Sequence, residues 1–288
     1  MQKFIGLIVV LASVIGGYMM SGGKLSSFWQ PGELVIILGA GAGALIIANP
    51  KHVLKAMLGQ IKAAVRKDEQ NDEFQHQLLM LMYELLELVQ DGGLKALDEH
   101  IDVPDSSALF TRYPLILKDK GFITFISDNF RLMAMGKINE HELESILEAE
   151  IEAVEEELLV PSRSLQRTAE AMPGYGICAA VLGIIITMQS IDGSIALIGL
   201  KVAAALVGTF LGVFFCYCLM DPLANAMEQC MKKRMTVFEC IRTVLVNHAA
   251  GKPTLLAVDA GRKMLPVENK PTFATLDGWV NQMTERTP

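Results

Sequence analysis

Two sets of small and hydroxylated residues define the chemistry open to this chain. Gly176, Ala180, Gly183, Thr187 and Ser190 are spaced 4-3-4-3, which keeps them on one side of a helix. Ala205, Thr209, Gly212 and Cys216 share one side of a second helix, and Ala204, Gly208 and Gly212 recur at steps of four. Small faces let helix backbones approach closely in a membrane. The same faces leave room for water or an ion beside a hydroxyl. Both readings, tight packing and an ion path, stand open at this level.

Other chemistry is not written here. No Ser/His/Asp, Cys/His or HExxH arrangement is visible, so the chain does not read as an enzyme. Cys216 and Cys218 point apart on a helix, and with Cys178, Cys230 and Cys240 they read as small core residues rather than metal ligands or a disulfide framework. The glutamate run from Glu140 to Glu157 lacks calcium-loop spacing and reads as a solvated face. Gly39-Ala40-Gly41-Ala42-Gly43 has no strand–turn–helix context for phosphate binding, and Gly39 and Gly43 fit small-xxx-small packing instead. No cofactor is implied. A net charge of −7 gives no surface for nucleic acid.

The elements that position these residues are apolar. The chain is 51% hydrophobic with mean hydropathy +0.36. Four segments approach the ~20 residues that cross a bilayer: Phe4–Met20, Leu34–Asn49, Gly174–Ile191 and Ile195–Met220. None of the four, so bounded, carries a carboxylate. Lys201 is the one charge within them, near enough to the end of its span to snorkel. The first span could also serve as a signal peptide, but another apolar segment follows it instead of a cleavage site and a polar domain. Basic residues cluster after the second span (Lys51, His52, Lys55, Lys62, Arg66, Lys67) and the fourth (Lys232, Lys233, Arg234), while the turn Asp192–Ser194 has none and the Ser21–Glu33 loop has only Lys24. Both termini and the long middle section are therefore expected in the cytoplasm.

The layout expected is all-α: spans one and two in 1–49, a cytoplasmic helical domain in 50–172, spans three and four in 173–222, and C-terminal cytoplasmic helices in 223–288. Within the middle section, Glu73–Gln90 carries an apolar stripe that stops at Asp91-Gly92-Gly93. Leu94–Ile101 forms a short helix. Ser107–Met135 is amphipathic, with interruptions expected at Pro114 and Gly121. His141–Leu159 is an acidic helix ending before Pro161. Short helices follow Pro253 and Pro271. Pro173 and Pro222 flank the second pair of spans, either as helix punctuation or as hinges at the mouth of a pore.

Several stretches together resemble the MotA family of flagellar-motor stator subunits. They are Gly16-Gly17-Tyr18-Met19-Met20-Ser21-Gly22-Gly23, Gln30-Pro31-Gly32-Glu33-Leu34-Val35-Ile36-Ile37, Phe110-Thr111-Arg112-Tyr113-Pro114, Pro173-Gly174-Tyr175-Gly176-Ile177, Val207-Gly208-Thr209-Phe210-Leu211-Gly212 and Gly261-Arg262-Lys263. No one of them is decisive; their order and spacing are. The resemblance implies a multi-pass protein of the bacterial inner membrane, five copies of which surround two MotB-like single-span partners. The partner supplies the ion-binding aspartate that these spans lack. Spans three and four ring the partner helix, with Gly176, Ala180, Gly183, Thr187 and Thr209 along the ion path and Pro173 and Pro222 as functional prolines. Sodium-driven relatives carry threonine where this chain has Ala180, which implies a proton. The family's rotor contacts fall on Gln90 and Asp98. The acid is retained and the base is lost, with Lys95, Arg112, Lys118 and Glu150 as possible substitutes.

The expected role is a torque-generating proton channel subunit that acts on the rotor ring. One rival is an ExbB- or TolQ-like energiser of outer-membrane work, which the resemblance associates with three spans and an outside N-terminus. Another is a membrane scaffold without transport. A secondary transporter fits less well, since no span has a substrate-sized polar cluster.

Overall fold

The computed structural model describes residues 2–65, 72–136, 138–189 and 194–285, and no strand occurs among them. Arg66, Lys67, Ser190 and the turn residue Asp192 lie outside the described residues. In chain order the helices are α1 (Gln2–Met20), α2 (Pro31–Ala48), α3 (Lys51–Val65), α4 (Asp72–Gly92), α5 (Asp98–Asp102), α6 (Pro114–Leu117), α7 (Lys120–Ala134), α8 (Glu140–Met188), α9 (Ile195–Phe214), α10 (Asp221–Ala249), α11 (Thr254–Arg262) and α12 (Phe273–Thr284). A π-helical turn, Phe215–Met220, joins α9 to α10. The fold is all-α. Four of these helices, including both helices of the second pair, are long and apolar enough to cross a membrane. Contacts divide the chain into two units: Met1–Lys67 with Leu158–Cys230, and Asp68–Glu157 with Met231–Pro288.

The first unit is built on apolar helices whose outer faces stay exposed. Phe4, Val9, Ile47, Ile195 and Leu206 are all more than half exposed, a surface suited to lipid or to other helices rather than to water. Its interior holds Ile37 of α2, Ala169, Met172 and Ala179 of α8, Leu211 of α9 and Cys216 of the π-helical turn. A second cluster joins Met57 and Ala64 of α3 to Leu165 of α8 and Met227 of α10. Polar ties fix the polar end of this packing. Lys3 Nζ donates to the Ala64 carbonyl at 2.7 Å, Gln60 Nε2 to the Leu158 carbonyl at 2.7 Å, and Ser164 Oγ to Asn49 Oδ1 at 2.7 Å.

Prolines behave differently from the sequence expectation. Pro161 and Pro173 do not end helices: α8 runs from Glu140 to Met188 through both. An interior proline costs about 3 kcal/mol of helix stability. Here Leu159, Leu165, Ala169 and Met172 are buried on either side, and that packing outweighs the local loss. Pro222 follows the π-helical turn inside one continuous helix, Ile198–Ala249, and so does not end a helix either. Its ring would crowd the carbonyl four residues back, that of Cys218, which lies in the wider π-helical turn.

The second unit is an aromatic and aliphatic bundle. Leu78, Leu79, Leu81, Met82, Leu85 and Leu86 of α4 are fully buried, as the stripe predicts. Phe122 and Phe130 of α7 and Ile241, Val244 and Leu245 of α10 are buried in the same unit, where the Phe122 ring meets Phe74 of α4 and Phe238 of α10. Leu143, Leu147 and Ile151 form the inward stripe of the acidic stretch of α8, leaving Glu144, Glu148 and Glu152 in solvent. Gly92 ends α4, and Gly93 takes the left-handed φ of 73° that lets the chain turn. The break before α7 falls at Asp119 rather than Gly121. Asp119 caps the helix by accepting from the backbone N–H of Gly121 and Phe122, and it also accepts from Arg234 Nη2 at 2.7 Å.

The Gly261-Arg262-Lys263 motif is structural. A Cβ on Gly261 would lie 2.7 Å from the Cys240 carbonyl, so glycine seats α11 on α10. Arg262 is buried: its Nε donates to Asp259 at 2.7 Å and its Nη1 to the Pro271 carbonyl at 2.7 Å, fixing the approach to α12. Burial alone would raise the Asp259 carboxyl. The bonds from Lys263 and Arg262 outweigh it and hold the group below the ordinary carboxylate range.

Candidate functional site

The small faces of α8 and α9 meet each other. A Cβ on Gly176 would stand 2.8 Å from the Gly208 carbonyl and 3.0 Å from Gly212 Cα; one on Gly212 would stand 2.7 Å from the Met172 carbonyl. No side chain fits between these backbones, so the glycines set how closely the helices pack. Ala205, Gly208, Leu211, Gly212 and Cys216 are the residues that α9 and its π-helical continuation bury. Thr209 sits half-buried at the edge of that face rather than on it.

From α2, Gly41 faces the Met172 sulfur at 2.9 Å from a would-be Cβ, whereas Gly39 and Gly43 have nothing within 4 Å. Within this chain Gly41 is therefore the packing glycine, not the Gly39/Gly43 pair expected from spacing. Ala180 is buried in the same unit, and the Thr187 hydroxyl, also buried, donates to the Gly183 carbonyl at 2.8 Å. That bond returns the hydroxyl to its own helix.

One residue that the sequence reading placed in a loop enters this packing. Glu33 is in the first turn of α2 and only 8% exposed. Its carboxyl lies between α8 and α9. A Cβ on Gly183 would be 3.0 Å from Oε1, and one on Gly208 would be 3.0 Å from Cδ and closer still to Oε2. Oε2 is buried with no hydrogen-bond partner. The expectation of acid-free spans is therefore corrected: the second apolar helix carries a carboxylate. Two signals marked it. Pro31 is a first-turn proline, and an acid in the first turn suits the helix dipole, so the helix begins before its first aliphatic residue.

The residues expected at the rotor lie in the second unit. Gln90 is exposed at the end of α4, and its Oε1 accepts from the Thr254 hydroxyl at 3.0 Å. Asp98 is exposed at the start of α5, three residues after the exposed Lys95. Of the substitutes, Arg112 is already paired with Glu84 at 2.7 Å, and Glu150 accepts from Asn129 at 3.1 Å. Burial raises the Glu84 carboxyl, with Arg112 and Tyr113 pulling the other way. Burial, then Glu84, pushes the Tyr113 phenol well up.

Comparison with known proteins follows the same plan over nearly the whole chain. Residues 4–93 match the Motility protein A N-terminal family, and residues 119–240 match the MotA/TolQ/ExbB proton channel family. The chain is 58% identical to Chemotaxis protein LafT of Vibrio parahaemolyticus over 280 residues, covering 97% of this chain and 98% of that one. It belongs to the motility protein A family. Motility protein A of Escherichia coli is 36% identical over 277 residues, covering 96% of this chain and 94% of its own. The fold of this motility protein A relative is also that of a Campylobacter jejuni MotAB structure, with TM-score 0.74 at 17% identity over 93% of this chain and 96% of that one. The Bacillus subtilis flagellar MotAB stator complex gives TM-score 0.69 at 21% identity, over 93% and 98%.

Proposed function

We propose that this chain is a stator subunit of the bacterial flagellar motor. With a MotB-like single-span partner it forms a proton channel that converts the proton-motive force into torque on the rotor. The observation that carries this reading is end-to-end identity: 58% with LafT and 36% with a motility protein A, each over at least 96% of this chain. The match of residues 4–93 to the motility protein A N-terminal family favours it over an ExbB- or TolQ-like energiser. The channel reading rests on the proton channel family match and on the apolar helices.

In this reading the protein lies in the inner membrane with both termini in the cytoplasm. Residues 1–49 and 173–222 hold the spans, and 50–172 and 223–288 form the cytoplasmic parts. Five copies surround two partners. A bare charge in the bilayer centre is costly, so the ion travels bound to a carboxylate, which the partner's helix provides. Gly176, Ala180, Gly183, Thr187 and Thr209 border that helix. Thr209, at the edge of the packed face of α9, is the hydroxyl best placed to reach a neighbour. Pro173 and the Pro222 π-helical junction are where α8 and α9–α10 bend as the partner's acid changes charge. Gln90 and Asp98, both exposed, touch the rotor. Each elementary charge yields about 2.3 kcal/mol per 100 mV of membrane potential.

Deletion of the gene tests the role. Filaments should still assemble but not turn, and plasmid-borne wild type should restore rotation. Cells that still rotate when no second stator is encoded would exclude it.

A further inference from the structure

Glu33 is a buried acid that neither packing nor the proposed partner chemistry accounts for. The residue is more than nine-tenths buried, its Oε2 has no donor, and its carboxyl occupies a notch that exists only because residues 183 and 208 lack side chains. Gly183 and Gly208 belong to the same faces that border the ion path. We propose that Glu33 is a second proton-binding group of the channel, lying on its outer approach and exchanging its proton between water on that side and the interior of the α8–α9 pair. This rests on the stator reading and on the orientation given there.

The argument is one of charge and space. An ionised carboxylate shut in this notch would hold Oε2 out of water with no donor to replace it, a costly exchange for a charged group. The protonated acid forfeits far less. The notch closed on Glu33 thus holds the neutral acid, and release of the proton requires that water reach Oε2. The charged and titratable groups on the elements packed around it are few. α9 offers only Lys201, two turns before Gly208; α8 from Gly174 to Met188 offers Tyr175 and Cys178; the first helix and the loop that follows it offer Tyr18, Lys24 and, at the far end of that helix, Lys3, which donates to the Ala64 carbonyl. Lys201 is half-buried and lies on the Gly208 side of α9. In each exchange an O–H bond forms at a Glu33 oxygen as one breaks in hydronium. The reverse step passes the proton through water to the next carboxylate, and no redox partner is needed.

The test uses the full complex with its partner in cells. E33Q, E33D and G208A are compared with wild type for membrane accumulation, co-isolation with the partner, proton influx by a cytoplasmic pH reporter, and swimming speed from external pH 5 to 9. E33Q keeps the shape of the protonated acid, so a purely structural Glu33 predicts wild-type influx and speed. The proposal predicts at least a tenfold loss of influx at normal accumulation. E33D should retain influx with its pH profile displaced, and G208A, whose Cβ evicts the carboxyl, should behave like E33Q. E33Q with wild-type influx at every pH overturns the proposal. If E33Q does not accumulate, E33D decides: a displaced pH profile supports the proposal and a superimposable one overturns it. A wild-type complex that neither conducts protons nor turns the motor would instead refute the stator reading itself.

Discussion

Gly212→Ala probes the packing that shapes the site. A Cβ there would sit 2.7 Å from the Met172 carbonyl and 2.8 Å from Gly176 Cα. Ordinary contact begins near 3.4 Å, so α8 and α9 must separate by about 0.7 Å. The obstructing atoms are backbone and cannot rotate away. Overpacking of this kind costs about 1–3 kcal/mol, against a gain of about 1 kcal/mol from replacing glycine by alanine in a helix. The net expectation is a loss of up to about 2 kcal/mol. Gly43→Ala is the matched control, since a Cβ there meets nothing within 4 Å; it should be neutral or slightly stabilising within the chain. Thermal unfolding of the detergent-solubilised complex measures both, with motility as the functional readout. A G212A complex that melts as high as the G43A complex would refute the packing argument.

Three further outcomes follow from the geometry. Arg262→Ala strips a buried partner from Asp259 and the Pro271 carbonyl; it should cost about 3 kcal/mol and lower the melting temperature of the complex. Because the Asp259 carboxyl is held below its unfolded value, its contribution is full above about pH 4 and disappears as pH falls through the lowered folded value. R262A should therefore flatten the acid limb of a stability profile, while an unchanged limb would contradict the assignment. Asp98→Lys, at an exposed position, should leave membrane accumulation intact but reduce stator recruitment and torque; unchanged bead-assay torque would remove Asp98 from the rotor contact.

Much of the helical plan was legible because apolar periodicity is local. The α4 stripe, the stop at Gly92-Gly93 and the helices after Pro253 and Pro271 needed only spacing and turn chemistry. Prolines misled where packing outweighed propensity, as at Pro161 and Pro173. Asp119 was overlooked because Gly121 looked like the stronger break, although the acid side chain satisfies the helix N-terminus. At the site, spacing identified the small faces, but not which glycine meets which backbone; that depends on three helices at once, and it moved the packing role in α2 to Gly41. Glu33 was hidden by bounding the span at Leu34, the first aliphatic residue. The buried Asp259–Arg262 pair was invisible because an i,i+3 ion pair reads as surface until the neighbours that bury it are known.

The central claim is that this subunit turns the motor with protons. Its most direct test is the swimming speed of a strain dependent on this subunit and its native partner, measured as a protonophore and external sodium are varied separately. Speed that collapses with the protonophore and is indifferent to sodium is the predicted result. Speed that follows sodium at fixed proton-motive force would contradict it.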